Sequence, residues 1–282
     1  APKTPFLRLF PGKNRIFDYK ISIMKKSIIL LFIFATSAIF AQKTQVVAHR
    51  GYWDTPENAQ NSITALQKAQ QIPVYGSEFD VNMTSDGVLL VWHDKNVEGK
   101  RIEKHPYEDF KYYKLKNGEP IPTIDQYMEQ AKKHPETVLV YELKRHSCAE
   151  VEDRFVDLVI KNLKKHEFLD PSKVIFISFS HHICKKLAKE LPGFIVQYLK
   201  SEKKPAKVKA DGINGIDYNY RIFKLNKKWV LKAHLLGMST NAWTVNKKED
   251  MREMLNLKVN MLTTDQPLQA RELMKEMNIK EL

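Results

Sequence analysis

From residue 45 onward, short runs of β-branched and aromatic residues alternate with longer segments whose apolar positions recur every three or four residues. The short runs predict strands over 46–49, 75–83, 137–143, 174–179, 195–199, 215–218, 238–245 and 260–264. The longer segments predict helices over 62–71, 123–133, 149–168, 182–191, 227–236, 248–257 and 268–277. Ile63, Leu66 and Ala69 share one side of the first helix, and Thr123 is placed to cap the second. An extra extended run, 88–93, follows the turn Ser85-Asp86-Gly87. Residues 95–122 break the alternation with mixed charge, aromatics and turn signals, and read as an insertion. A lysine-rich stretch ending at Asp211 has no clear period. Strands alternating with helices imply parallel βα units. Eight such units in about 240 residues match an α/β fold of the closed (β/α)8, TIM-type kind, with a small insertion after the second strand. An open doubly wound sheet is the alternative. Against it, no Gly-rich phosphate turn follows the first strand, where Gly51 stands alone before Tyr52-Trp53.

The segment ahead of the first strand has a different pattern. From Met24 it reads two lysines, an apolar run over 27–40, and small residues ending at Ala41. This is the layout of a secretory signal peptide. The run is shorter than the roughly 20 residues a transmembrane helix needs, although an uncleaved anchor is the alternative. Residues 1–23 have no clear pattern and are expected to be an over-extended start, with Met24 initiating. The expected plan is therefore 1–23 outside the native chain, 24–41 a signal peptide, and 42–282 a single barrel domain. The expected location is periplasmic or secreted, with no stable transmembrane anchor once the signal is cleaved.

Composition changes this picture little. A hydrophobic share of 43% supports a sizeable core. The formal charge of +13 over 282 residues invites a nucleic-acid partner. However, the first 41 residues hold seven bases and one acid, so about +7 remains, interleaved with acids. That is a solvated face, and no nucleic-acid partner is expected. Two cysteines, Cys148 and Cys184, exclude a disulfide scaffold and lack zinc-ligand spacing. Adjacent βα loops could still bring them together, and export would permit the bond.

Catalytic groups of such barrels sit at the C-terminal ends of strands, and the unusual polar residues fall there. His49-Arg50 ends the first strand, and Glu78 and Asp80 lie near the end of the second. His93-Asp94 closes the extra run, and Glu142 and Lys144 end the third strand. Trp243, Thr244 and Asn246 end the seventh, and Thr264-Asp265 the eighth. Residues two apart on a strand share a face, so Glu78 and Asp80 point together, as do Glu142 and Lys144. Phe79 and Val81 then face the helices. Three converging carboxylates repel unless something cationic lies between them. They either ligate one hard divalent cation, Ca2+ or Mg2+, or form structural ion pairs with Arg50 and Lys144. His49 and His93 supply acid–base chemistry near neutral pH, and the two cations suit a phosphate. The other seven histidines fall in helices or turns and are expected at the surface.

In order and spacing, the chain resembles the glycerophosphodiester phosphodiesterase family. The matching motifs are His49-Arg50-Gly51, Pro56-Glu57-Asn58, Glu78-x-Asp80, Thr84-x-Asp86-Gly87, His93-Asp94, Ile121-Pro-Thr123, Glu142-x-Lys144, Trp243-Thr-Val-Asn246 and Thr264-Asp265-x-Pro267. They extend over roughly residues 45–275. The resemblance implies metal ligation by Glu78, Asp80 and Glu142, and acid–base work by His49 and His93. It implies phosphate contacts from Arg50 and Lys144, a glycerol-facing wall at Trp243, and lesser substrate roles for Asn58 and Asn246. It also implies hydrolysis of glycerophosphocholine- or glycerophosphoethanolamine-type substrates to sn-glycerol 3-phosphate and an alcohol. After Asn58 the sequence departs from the family pattern, with Ala59-Gln60-Asn61 in place of a threonine, and Asn61 is expected to cap the following helix. A lipid-directed phosphodiesterase on the same barrel is the nearest alternative. Its apolar ring would have to come from Tyr107, Phe110, Tyr112 and Tyr113. A non-catalytic phosphodiester- or sugar-binding barrel is the alternative of another class.

Overall fold

The structure, a computed structural model, describes residues 44–279. The expected signal peptide and the segment before it lie outside the described residues. Eight parallel strands close on themselves in the order expected of a TIM-type barrel. They are β1 (Gln45–Ala48), β2 (Gly76–Met83), β6 (Val138–Leu143), β7 (Val174–Ser178), β8 (Ile195–Tyr198), β9 (Gly215–Asn219), β10 (Ser239–Trp243) and β11 (Met261–Thr264). The seam is shut by β1, which pairs with β11 through Val47↔Thr263 and with β2 through Val47↔Gly76. The open doubly wound sheet is thereby excluded.

The extra run is β3 (Leu89–Val91), antiparallel to β2 with Val81 opposite Val91. The insertion behind it holds the small hairpin β4 (Asn96–Val97) and β5 (Lys100–Arg101), followed by two short 3-10 turns. Glu98 and Gly99 both have positive φ, as a two-residue hairpin turn matching strand twist requires.

Helices cover the barrel: α1 (Ile63–Gln70), α2 (Ile124–Ala131), α3 (Ala149–Lys165), α4 (His181–Glu190), α5 (Pro205–Ala210), α6 (Tyr220–Leu225), α7 (Lys228–Leu235), α8 (Lys248–Leu257) and α9 (Pro267–Glu276). Thr123 caps α2 in a reciprocal capping box with Gln126, as its position predicted. Helices α5 and α6 were not foreseen. Each is six residues long, and they bury only Pro205 with Val208, and Phe223, respectively. So short an apolar face leaves no period to read.

All eight residues of β2 are buried, and they divide by parity. Phe79, Val81 and Met83 join the main core between strands and helices, where Phe79 stacks on Tyr127 at 4.5 Å. A second apolar cluster, including Val47, Val140, Ile175 and Met261, fills the barrel interior. A third lies under the insertion, with Leu90, Val97, Ile102, Phe110, Leu115 and Ile121 at its centre. Each such buried side chain stabilises the fold by roughly 1.5–3 kcal/mol, so the insertion is held by its own small core.

Two expectations need correction, and one open question is answered. His146 and His166 are buried (6% and 4% exposed), not at the surface. His146 accepts from Met83 N through Nε2, and His166 pairs with Asp125 at 2.7 Å. Asn61 does not cap α1: Ser62 does, its hydroxyl accepting from Ala65 N. The pairing left open for Cys148 and Cys184 is not formed, since both are free, the first exposed and the second buried.

Candidate active site

The turn after β1 folds back on β2 through two left-handed residues, Arg50 (φ 56°) and Gly51 (φ 78°). Arg50 N donates to Glu78 Oε2 at 2.8 Å, and Gly51 N to the Glu78 carbonyl at 3.1 Å. A Cβ on Gly51 would meet the backbone of Ala65 at 2.6 Å, so glycine is required for both space and φ. The conformation sets the Arg50 side chain beside the acids, with Nε 3.3 Å from Asp80 Oδ2. Its Nη1 also donates to Gln60 Oε1 at 2.5 Å. Asn61, likewise left-handed, clamps Asp80 from the other side: Nδ2 donates to Oδ2 at 2.9 Å, and Oδ1 accepts from Asp80 N at 3.1 Å.

Glu78, Asp80 and Glu142 are all buried, and an oxygen of each lies within 4.8 Å of the others. The register makes this so, because β6 places Glu142 opposite Asp80. Lys144 lies between the two acids, its Nζ 2.6 Å from Glu142 Oε1 and 3.1 Å from Asp80 Oδ1. Charge is shared unevenly. Burial alone would raise Asp80, but Lys144 and Arg50, with His93, hold its carboxyl well below the usual range. Glu142 is pushed up to about 7, by burial first and by Asp80 in addition, although Lys144 opposes this. Glu78 is raised well above its ordinary value by burial and by the two neighbouring acids. Three acids with two cations leave a deficit of positive charge. The donors are hard oxygens, so the residues present fit a Ca2+- or Mg2+-type ion.

His49 closes the cavity from the β1 side. Its Nδ1 lies 2.7 Å from Asp265 Oδ1, and its Nε2 is 4.0 Å from Glu78 Oε2. Asp265 also accepts from Trp53 Nε1 (3.0 Å) and from Asn246 Nδ2 (2.6 Å). A carboxylate on Nδ1 fixes the ring and leaves Nε2 for chemistry. His93, at the end of the β2–β3 hairpin, has a similar partner, with Nδ1 2.7 Å from Asp94 Oδ1. Burial, aided by Lys144 and Arg50, lowers the pKa of His93 from its ordinary value, against the pull of Asp80 and Asp94, and so favours the neutral ring.

A cavity of about 170 Å3 is lined by His49, Arg50, Glu78, His93, Glu142, Trp243 and Thr244, and by Ile177, Phe179, Leu199, Asp217 and Thr263. Trp243 stands edge-on to Phe179 (5.6 Å, 82°) and donates its Nε1 to the Asp217 carbonyl at 3.0 Å. Of the residues expected at a site, Asp80 and Lys144 sit just behind this lining, bonded to those that form it. Asn58 and Asn246 do not line the cavity. Asn58 bonds within its own loop, to the Tyr52 carbonyl and Ser62 Oγ, while Asn246 holds Asp265. Asp265 as the partner of His49, and Asp217 in the cavity wall, were not assigned roles from sequence. For Asp265 the Thr264-Asp265 motif at a strand end was the available signal. A larger cleft of about 410 Å3 adjoins across Phe179 and includes Arg145, His181, His182, Lys200 and Lys203.

Comparison with known proteins accords with this geometry. Residues 49–269 match the glycerophosphoryl diester phosphodiesterase family. A glycerophosphodiester phosphodiesterase of Caldanaerobacter subterraneus subsp. tengcongensis is 27% identical over 241 residues, covering 80% of this chain and 95% of that one. The crystal structure of a glycerophosphodiester phosphodiesterase from Parabacteroides distasonis superposes with a TM-score of 0.81 at 38% identity, covering 84% of this chain and 99% of the other. An Oleispira antarctica phosphodiesterase, solved in complex with the product sn-glycerol-3-phosphate, shares the fold with a TM-score of 0.71 at 21% identity, covering 84% of this chain and 99% of its own. With the family match extending over most of the barrel, the chain is an enzyme of the glycerophosphoryl diester phosphodiesterase family.

Proposed function

We propose that this enzyme hydrolyses small glycerophosphodiesters, of the glycerophosphocholine or glycerophosphoethanolamine type, to sn-glycerol 3-phosphate and an alcohol, using one divalent cation, Ca2+ or Mg2+. The observation that carries this reading is the convergence of His49, His93 and Arg50 on one small cavity walled by three buried acids. Glu78, Asp80 and Glu142 would hold the ion, which when bound offsets charge building on the phosphate. Arg50 binds a non-bridging phosphate oxygen, while Lys144 keeps the acids in place. His93, its neutral form favoured by burial, takes the proton of the attacking hydroxyl, whether from water or from the neighbouring glycerol carbon. His49, held by Asp265, protonates the departing alkoxide through Nε2. Attack from the glycerol hydroxyl is intramolecular and gains from proximity, passing through a cyclic phosphate.

A lipid-directed reading has less support. Of the four aromatics that could form an apolar ring, Phe110 is buried, Tyr107 and Tyr113 pack on the insertion's core, and Tyr112 alone is exposed. Export belongs to the same proposal, supported by the leader pattern at 24–41, and a mature chain starting near Gln42 in the periplasmic or secreted fraction tests it. The catalytic reading is tested with glycerophosphocholine, with and without chelator, on wild type, His49→Ala and His93→Ala. Activity should vanish with chelator, return with Ca2+ or Mg2+, and fall at least about 100-fold in each variant with the fold intact. Near-normal turnover in both variants would overturn it.

A further inference from the structure

One buried acid in the cavity has no part in the scheme above. Asp217, in the middle of β9, is only 1% exposed, yet lines the same cavity as His49, Glu142 and Trp243. Its Oδ2 accepts from Asn241 Nδ2 at 3.2 Å, while its Oδ1 has no hydrogen-bond partner. A buried polar atom without a partner is uncommon and destabilising, and in a cavity wall it marks a place where a ligand atom completes the bonding.

Its neighbours narrow what that atom can be. The three candidate cation ligands cluster within 4.8 Å of one another, and Asp217 is not in the group, so the ion does not account for it. Thr263 Oγ1, the adjacent polar group, is already bonded to the Asn241 side chain in both directions. Trp243 Nε1 is bonded to the Asp217 carbonyl. The same cavity also has an apolar lining, formed by Ile177, Phe179, Leu199 and the Trp243 ring. A group that fits here offers C–H surface and at least one hydroxyl. At about 170 Å3 the cavity is well below the roughly 300–1,000 Å3 that encloses a drug-sized ligand, which restricts it to a small polyol.

We propose that Asp217 is a specificity-determining residue that recognises the glycerol moiety, its Oδ1 hydrogen-bonding a free glycerol hydroxyl while Trp243 covers the carbon chain. The proposal rests on the glycerophosphodiesterase reading above and adds to it a reason for choosing the glycerol side of the diester. The alcohol on the other side then projects toward the mouth, where selection is looser. A site built to bond a hydroxyl discriminates strongly against substrates lacking it, because its own polar atom is then left bare.

The test compares wild type with Asp217→Ala and Asp217→Asn in the full chain, with the divalent cation present. kcat/KM is measured on glycerophosphocholine and on bis(p-nitrophenyl) phosphate, which has no hydroxyl, alongside inhibition by sn-glycerol 3-phosphate and by inorganic phosphate. Asp217→Ala should lose about 10- to 100-fold on glycerophosphocholine and in affinity for sn-glycerol 3-phosphate. On bis(p-nitrophenyl) phosphate and inorganic phosphate it should stay within about threefold. Asp217→Asn, which keeps the shape and serves if the alanine variant does not fold, should lose at least about threefold on the glycerol compounds alone. Equal losses on both substrates, or none on either, would overturn the proposal. Wild type that cleaves bis(p-nitrophenyl) phosphate but no glycerophosphodiester would instead sink the underlying reading, and the proposal with it.

Discussion

Asp265→Asn tests whether the carboxylate behind His49 positions the ring for catalysis. The two side chains have the same shape, so only charge and donor pattern change. In the native arrangement Oδ1 accepts from His49 Nδ1 (2.7 Å) and Trp53 Nε1 (3.0 Å), and Oδ2 from Asn246 Nδ2 (2.6 Å). An asparagine has one acceptor oxygen for these three donors. Set toward His49, it turns its NH2 against the Asn246 amide, which cannot flip freely because Asn246 Oδ1 already accepts from Thr264 Oγ1 and Asp265 N. Set the other way, it turns a donor against the protonated Nδ1, and the imidazolium that must protonate the alkoxide loses its counter-charge. A hydrogen bond to a charged group contributes about 1.5–3 kcal/mol. At 1.36 kcal/mol per tenfold, turnover should fall about 10- to 150-fold. One impaired bond should lower the melting temperature by only about 3–12 °C in a chain of this size. Glycerophosphocholine turnover, followed through released sn-glycerol 3-phosphate, measures the first effect, and circular dichroism melting the second. Turnover within twofold of wild type would refute the positioning role, as would a melting loss large enough to account for the whole effect.

Gly51→Ala should destabilise the fold by about 2–4 kcal/mol, because it combines a left-handed φ with a Cβ driven into the Ala65 backbone; a melting temperature unchanged within 2 °C would contradict this. Since Glu142 keeps a proton below about 7 and must release it to ligate a cation, as must Glu78 with its raised pKa, Ca2+ or Mg2+ affinity should weaken as pH falls below 7, by at least about one decade per unit. Calorimetric titration between pH 5 and 8 reads this directly, and a flat profile below pH 7 would count against the assignment. Thiol titration should find one reactive group in the native protein, Cys148, and a second, Cys184, only on unfolding; none in either state would mean that the two pair.

The barrel was legible in the sequence because its signals are periodic. Alternation along β2 separated Phe79 and Val81 from Glu78 and Asp80, and the two sets do face opposite layers. The convergence of His49, Glu78, His93 and Glu142 was legible for the same reason, since strand ends in this architecture meet at one face. What sequence did not reveal depends on contacts across long separations. Asp265 is 216 residues from His49, and nothing local marks it as a hydrogen-bond partner. Asp217 sits inside an apolar strand, Gly-Ile-Asp-Tyr-Asn, where its burial and bare oxygen appear only once β8 and β10 flank it. Asn61 next to Ser62 illustrates a closer failure. Both residue types cap helices well, and the choice was made by Asp80, which takes the asparagine amide and leaves the serine for α1.

The apolar cluster beneath the insertion has a consequence for how this enzyme can diversify. His49 is carried by the seam of the barrel, whereas His93 ends a strand whose Leu90 packs with Val97, Ile102 and Phe110 outside the barrel wall. The two histidines are therefore carried by different elements, with Leu89 and Val91 tying β3 to the main core and Leu90 tying it to the insertion. Substitutions at Val97, Ile102 or Phe110 act first on the insertion's own cluster, beside His93, and not on the main core. Heritable change in the rim has room to accumulate on that side, while the β1 seam holds His49 constant.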